Sequence, residues 1–255
     1  MNRRKFLSIG TIAAATGLYA AQKPLVAPSL FCQSSVHSWY LPEYLKDAPN
    51  NIIIQVRDTD SALGRYNVQQ HSKKITLDDI VKFHGHLCDG LVFSYLQIAV
   101  ALQKLFPDGI VDRTDLVGAC KNSPCMVDTL SYLTGAKINF KTLRIDSSLG
   151  ASHILQRIST KETYKVQLSP GVFPDQLAKL EGEIRGMVSK NESVPPKHID
   201  DVEKLADAFI RKLLHTPLDK LVTVEKLDGY VFAANENVEM FGKRGDIVNK
   251  NVNRK

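Results

Sequence analysis

The chain has 255 residues, 44% of them hydrophobic, which suffices for a large buried core and argues against disorder. Its 33 basic and 27 acidic residues leave a formal net charge of +6. They form no Arg/Lys stripe interleaved with aromatics, so nucleic-acid binding is not expected.

At the N-terminus, Arg3-Arg4-Lys5-Phe6-Leu7 precedes an uncharged run, Ser8 to Ala21, rich in Ala, Gly and Thr. This pattern resembles a twin-arginine export signal with cleavage after Ala20 or Ala21. The run falls short of the roughly 18 strongly apolar residues that a bilayer span requires, so no stable membrane span is expected after cleavage. The expected location is periplasmic or otherwise exported. Such signals are associated with proteins that fold, and load a metal or cofactor, before they cross.

Residues 22–75, with Pro24, Pro28, Pro42 and Pro49, read as an extended lead-in that contains one short β-branched run at Asn51 to Arg57. A core of residues 76–228 follows, and 229–255 form a tail. Thr76 with Asp79 marks a helix start, with Ile80, Val81 and Phe83 on one side and a break at Gly85. A longer helix from Gly90 to Phe106 carries Leu91, Tyr95, Ile98, Leu102 and Leu105 at helical spacing and stops at Pro107-Asp108-Gly109. Leu116 to Cys120 reads as a buried strand. Ser123 and Pro124 then open a helix that runs to Thr134-Gly135. Strands are expected at Lys141 to Ile145, Thr163 to Leu168 and Val222 to Leu227, and helices at Pro174 to Ser189 and Ile199 to His215.

Phe83-His84-Gly85-His86-Leu87-Cys88-Asp89-Gly90 concentrates two imidazoles, a thiol and a carboxylate at one helix boundary. Gly85 gives the backbone freedom to turn both imidazoles toward one point. A mixed His/Cys donor set suits zinc or another late transition metal better than magnesium or calcium. The rival reading is a histidine bonded to nearby backbone, with Cys88 packed as a small hydrophobe. Cys125 and Asp128 lie in the first turns of the next helix, and they join the site only if that helix faces the His-Gly-His-Leu-Cys turn. Cys120 is core, a third thiol of the site, or half of a disulfide to Cys125. Cys32, in the lead-in, reads as a free or incidentally paired thiol, and His37, His71, His153, His198 and His215 as structural or exposed histidines. No Gly-rich phosphate loop, GxSxG elbow or CxxC pair is present, so nucleotide-binding and serine-hydrolase readings drop out.

Phe83-His84-Gly85-His86-Leu87-Cys88 with Gly90-Leu91, followed by Asn122-x-x-Cys125-x-Val127-Asp128, Leu130 and Thr134-Gly135, resembles the E-subunit family of formylmethanofuran dehydrogenase. The resemblance extends through Asp146 to Gly150 and Leu221 to Leu227. It implies an α+β core with helices packed on a mixed or antiparallel sheet, and a bound metal, often zinc. The implied ligands are His84, His86, Cys88 and Cys125, with Asp128 lining the site and Cys120 and Asp89 as further candidates. It also implies a homodimer. Asp89 stands where the family commonly has Pro and Lys121 where it has Glu, and the zinc ribbon of some members is missing because no cysteine follows Cys125.

The family name does not transfer an activity, because no residue here addresses methanofuran. The leading expectation is an exported metal-binding protein, in metal handling or as an accessory to a redox system. The alternative is a metal-dependent or thiol-dependent enzyme, with Asp128 or Asp89 as general base or Cys88 as a low-pKa nucleophile.

Overall fold

Residues 40–57 and 72–236 are described by the structure, a computed structural model. The export signal, Cys32, His37, His71 and the tail from Phe241 lie outside those residues.

A 3₁₀ turn at Glu43–Leu45 leads to β1 (Ile54–Arg57) and β2 (Lys73–Ile75). Then come α1 (Leu77–His84), α2 (Asp89–Leu105), β3 (Ile110–Asp112), β4 (Leu116–Cys120) and α3 (Pro124–Thr134). β5 (Leu143–Ile145), β6 (Ser152–Arg157) and β7 (Thr163–Leu168) follow, and then α4 (Asp175–Ser189), α5 (Pro196–His215), α6 (Leu218–Leu221) and β8 (Val222–Lys226). The strands form a three-stranded sheet, β2-β1-β3, and a five-stranded sheet, β5-β4-β6-β7-β8. β1 pairs parallel with β3 and β4 parallel with β5, while the other pairings are antiparallel, so both sheets are mixed in an α+β fold.

The helix starts follow local chemistry. At α1 the Thr76 N–H donates to Asp79 Oδ2 at 2.9 Å, the reciprocal half of a capping box. At α3 Pro124 occupies the first helical position, where its missing N–H costs nothing, although the Ser123 hydroxyl makes no capping bond. Leu91, Tyr95, Ile98, Leu102 and Leu105 of α2 are all buried, as their spacing predicts, and so are Val92, Phe93, Leu96, Ala99 and Ala101. An all-round apolar helix must be central. Strands β6, β7 and β8 cover α2 on one side, and α3 and α5 cover it on others.

Two features depart from the pattern read in sequence. Ser152–Arg157 gives no alternating signal, yet it is the central strand β6, with Ser152, His153, Ile154, Leu155 and Gln156 all buried. Its polar side chains are matched internally: Gln156 Nε2 donates to Thr163 Oγ1 at 2.8 Å and to the Tyr230 carbonyl at 2.9 Å. A strand buried on both faces loses the period of two that would reveal it. Phe83, expected on the inner side of α1, is 57% exposed and packs outside against Tyr132, with ring centroids 5.3 Å apart. The described part of the lead-in packs on the core, as a segment that wraps the domain does: Leu45 is buried, and Asn50 Nδ2 donates to the Leu213 and Thr216 carbonyls, both at 2.7 Å, at the end of α5.

The segment after β8 also returns to the sheet. Asn235 Oδ1 accepts the Ile145 N–H at 2.7 Å and its Nδ2 donates to the Ile145 carbonyl at 3.0 Å, which pairs the outer edge of β5 much as a strand would.

Candidate metal centre

Two helix starts converge to make the site. Helix α1 ends at Gly85, whose φ of 100° lies in the left-handed region that a Cβ disfavours. This turn folds the chain back so that the His84 and His86 rings lie 4.7 Å apart, centroid to centroid. Cys88 then serves as the N-cap of α2, its Sγ accepting the Leu91 N–H at 3.4 Å. A thiol here does the work usually given to a hydroxyl or carboxylate.

Helix α3 supplies the other half. Cys125, in its first turn, places Sγ 3.4 Å from Cys88 Sγ. Gly90 makes that approach possible, since a Cβ at this position would lie 3.1 Å from Cys125 Sγ and 3.2 Å from its Cβ. One turn along α3, Asp128 Oδ2 sits 2.7 Å from His84 Nδ1. His84 Nε2 faces the other way, 3.9 Å from Cys88 Sγ. One donor atom from each of His84, His86 and Cys88 lies within 4.8 Å of the others.

The donors fit a late transition metal. Asp128 takes one nitrogen of His84 and leaves the other turned toward the thiols, the arrangement by which a carboxylate orients a metal-binding imidazole. Two sulfurs bound to a tetrahedral zinc at about 2.3 Å would lie about 3.8 Å apart, close to the separation of Cys88 and Cys125. His84, His86 and Cys88 form the three-donor group, and the Cys125 sulfur stands 3.4 Å from that of Cys88, within reach of the same point.

The charges are coupled. The Cys125 thiol is pushed below its usual range by the Cys88 S–H it accepts, against burial and with help from His84. Cys88 is pushed up by that same neighbour and by burial. Burial opposes a charged His84, but Asp128 and Cys125 outweigh it and push its pKa up to about 9. Burial and the Glu181 carboxylate push Asp89, the first residue of α2, up to about 6.

A family model described as FmdE, molybdenum formylmethanofuran dehydrogenase operon, matches residues 83–223. The chain belongs to the FmdE family. A solved structure from Syntrophus aciditrophicus, of a protein like the E-subunit (FmdE) of tungsten formylmethanofuran dehydrogenase, is 18% identical and covers 60% of this chain and 72% of its own, with a TM-score of 0.39. No curated protein matches.

Within this FmdE chain His84, His86, Cys88, Cys125 and Asp128 come together, and Cys120 does not join them. Cys120 is a free thiol wholly within the hydrophobic core, and burial pushes its pKa up to about 12. The thiol in contact with Cys125 is that of Cys88, not that of Cys120 five residues away.

His153, read in sequence as a lone histidine, is 0% exposed and stands opposite Cys120 in the sheet. Its Nδ1 is 2.8 Å from Gln97 Oε1, and Gln97 Nε2 donates to the Ala151 carbonyl at 3.2 Å, tying β6 to α2. His215 is exposed at the end of α5, its Nδ1 2.9 Å from the Arg211 carbonyl. The residue whose role sequence reasoning missed is Gly90. Its spacing from Cys88 is visible in the chain, but the helix it must admit comes from far along it.

Proposed function

We propose that this protein is an exported, metal-binding member of the FmdE family that holds zinc or a similar late transition metal through His84, His86, Cys88 and Cys125. Its role would be metal handling or service to a redox system. The observation that carries the reading is the convergence of imidazole and thiol donors on one point, with Asp128 fixing the outward nitrogen of His84. Structural or scattered histidines have no need of such an orienting carboxylate facing a thiol pair.

A two-nitrogen, two-sulfur set fills a tetrahedral shell, and a filled shell favours holding or delivering an ion over activating water at an open position. The paired arginines Arg3 and Arg4 and the uncharged run behind them support export. No helix among the described residues is long and apolar enough to cross a membrane. The homodimer is carried over from the family resemblance.

Metal analysis of protein purified without oxygen tests the proposal. About one ion per chain in the wild type, lost in Cys88→Ser with the fold intact, is the expected result. Metal-free wild-type protein that also fails to take up zinc would overturn it. Replacing both arginines with lysine should block export, and unchanged export would remove that part of the reading.

A further inference from the structure

Beyond holding a metal, Cys88 and Cys125 have the placement of a redox pair. We infer that in the metal-free protein they close reversibly to a disulfide, which withdraws two donors and makes metal occupancy depend on the thiol–disulfide balance around the protein. This inference rests on the metal-binding reading of the same site.

Geometry carries it. The two sulfurs are 3.4 Å apart, against about 2.05 Å in a disulfide, so side-chain rotation has little distance to close. Both cysteines stand at helix starts, Cys88 capping α2 and Cys125 in the first turn of α3. Gly90 keeps the space between them clear, since any Cβ there would crowd the Cys125 sulfur. Both thiols are free and half-buried, whereas Cys120 is sealed in the core and cannot compete for either.

The oxidant is a small disulfide such as glutathione disulfide. A protein thiolate attacks one of its sulfurs, forming a mixed disulfide and expelling one glutathione thiolate. The second protein sulfur then displaces the bound glutathione. Two electrons leave the cysteines, two glutathiones are released, and the two cysteine protons balance them as thiols. A metal ion bound to both sulfurs blocks the first attack, so metal and oxidant compete for the same pair.

The full chain, stripped of metal, is incubated with glutathione disulfide or kept reduced. Each sample is then peptide-mapped and titrated with cobalt(II). The expected oxidised product yields a Cys88–Cys125 cross-linked peptide pair lighter by two hydrogens than the two reduced peptides and no longer binds cobalt, and dithiothreitol restores binding, whatever adduct forms on Cys32. Cys125→Ser should instead stop at a glutathione adduct on Cys88, and Cys120→Ser should behave as wild type. Wild-type protein that stays fully reduced, or that stops at an adduct, overturns the inference. Cobalt binding in the reduced chain without any cross-link sinks the disulfide and leaves the metal centre standing. A cross-link in a chain that never binds cobalt sinks the metal centre and leaves the disulfide standing.

Discussion

Asp128 Oδ2 lies 2.7 Å from His84 Nδ1 and so decides which nitrogen of His84 faces the thiols. The two residues are 44 positions apart, on α3 and at the end of α1. Removing the carboxylate charge while keeping its shape, as Asp128→Asn does, should weaken metal binding by about 10- to 100-fold with little change in fold. Competition with a chelator of known affinity measures this. An affinity within twofold of the wild type would mean that Asp128 does not orient a ligand.

Gly90→Ala places a methyl group 3.1 Å from Cys125 Sγ, well inside ordinary contact. Alanine favours α2 itself, so helix content should hold or rise. The thiols should nevertheless separate, and the expected outcome is a folded protein with strongly reduced metal uptake. Circular dichroism beside metal analysis reads both. Full metal occupancy would show that the thiols need not meet.

Cys120 and Cys88 should respond in opposite ways. Cys120→Ser puts a hydroxyl into a sealed apolar site and should cost about 1–3 kcal/mol in denaturant unfolding while metal stoichiometry stays the same. Cys88→Ser sits half-buried at an N-cap that serine also fills, so stability should change little while the metal is lost. Metal loss in Cys120→Ser with Cys88→Ser unaffected would reverse the assignment.

Burial, with the nearby Lys121 ammonium, pushes His153 from its ordinary 6.5 down to about 3. Between those values the unfolded chain binds a proton that the folded chain refuses. The contribution of neutral His153 is therefore complete above about pH 6.5 and is lost as pH falls toward 3, at about 1.4 kcal/mol per pH unit. Imidazole nitrogen shifts in native protein at pH 5 provide the check. His153 should still be neutral there, and a charged ring would contradict the buried placement.

The legible parts of this fold are those whose signals are local. The Thr76–Asp79 cap, the stripe on α2 and the Pro124 helix start appear where periodicity and capping chemistry put them. β6 is hidden because burial on both faces erases alternation, and its His153 and Gln156 look polar until their partners Gln97 and Thr163 are known. The site is half legible for the same reason. His84, His86 and Cys88 are adjacent in sequence, but the role of Cys125 and Asp128 depends on how α3 packs on α1 and α2. Phe83 shows the converse: its spacing points inward, but the end of α1 lies at the surface and its ring rests on Tyr132 instead.

The most direct test of the metal centre is the X-ray absorption spectrum of the zinc-loaded, reduced full chain at the zinc edge. Two sulfurs at about 2.3 Å and two nitrogens at about 2.0 Å are predicted for Cys88, Cys125, His84 and His86. A shell of oxygen and nitrogen alone, with no sulfur scattering, would contradict it.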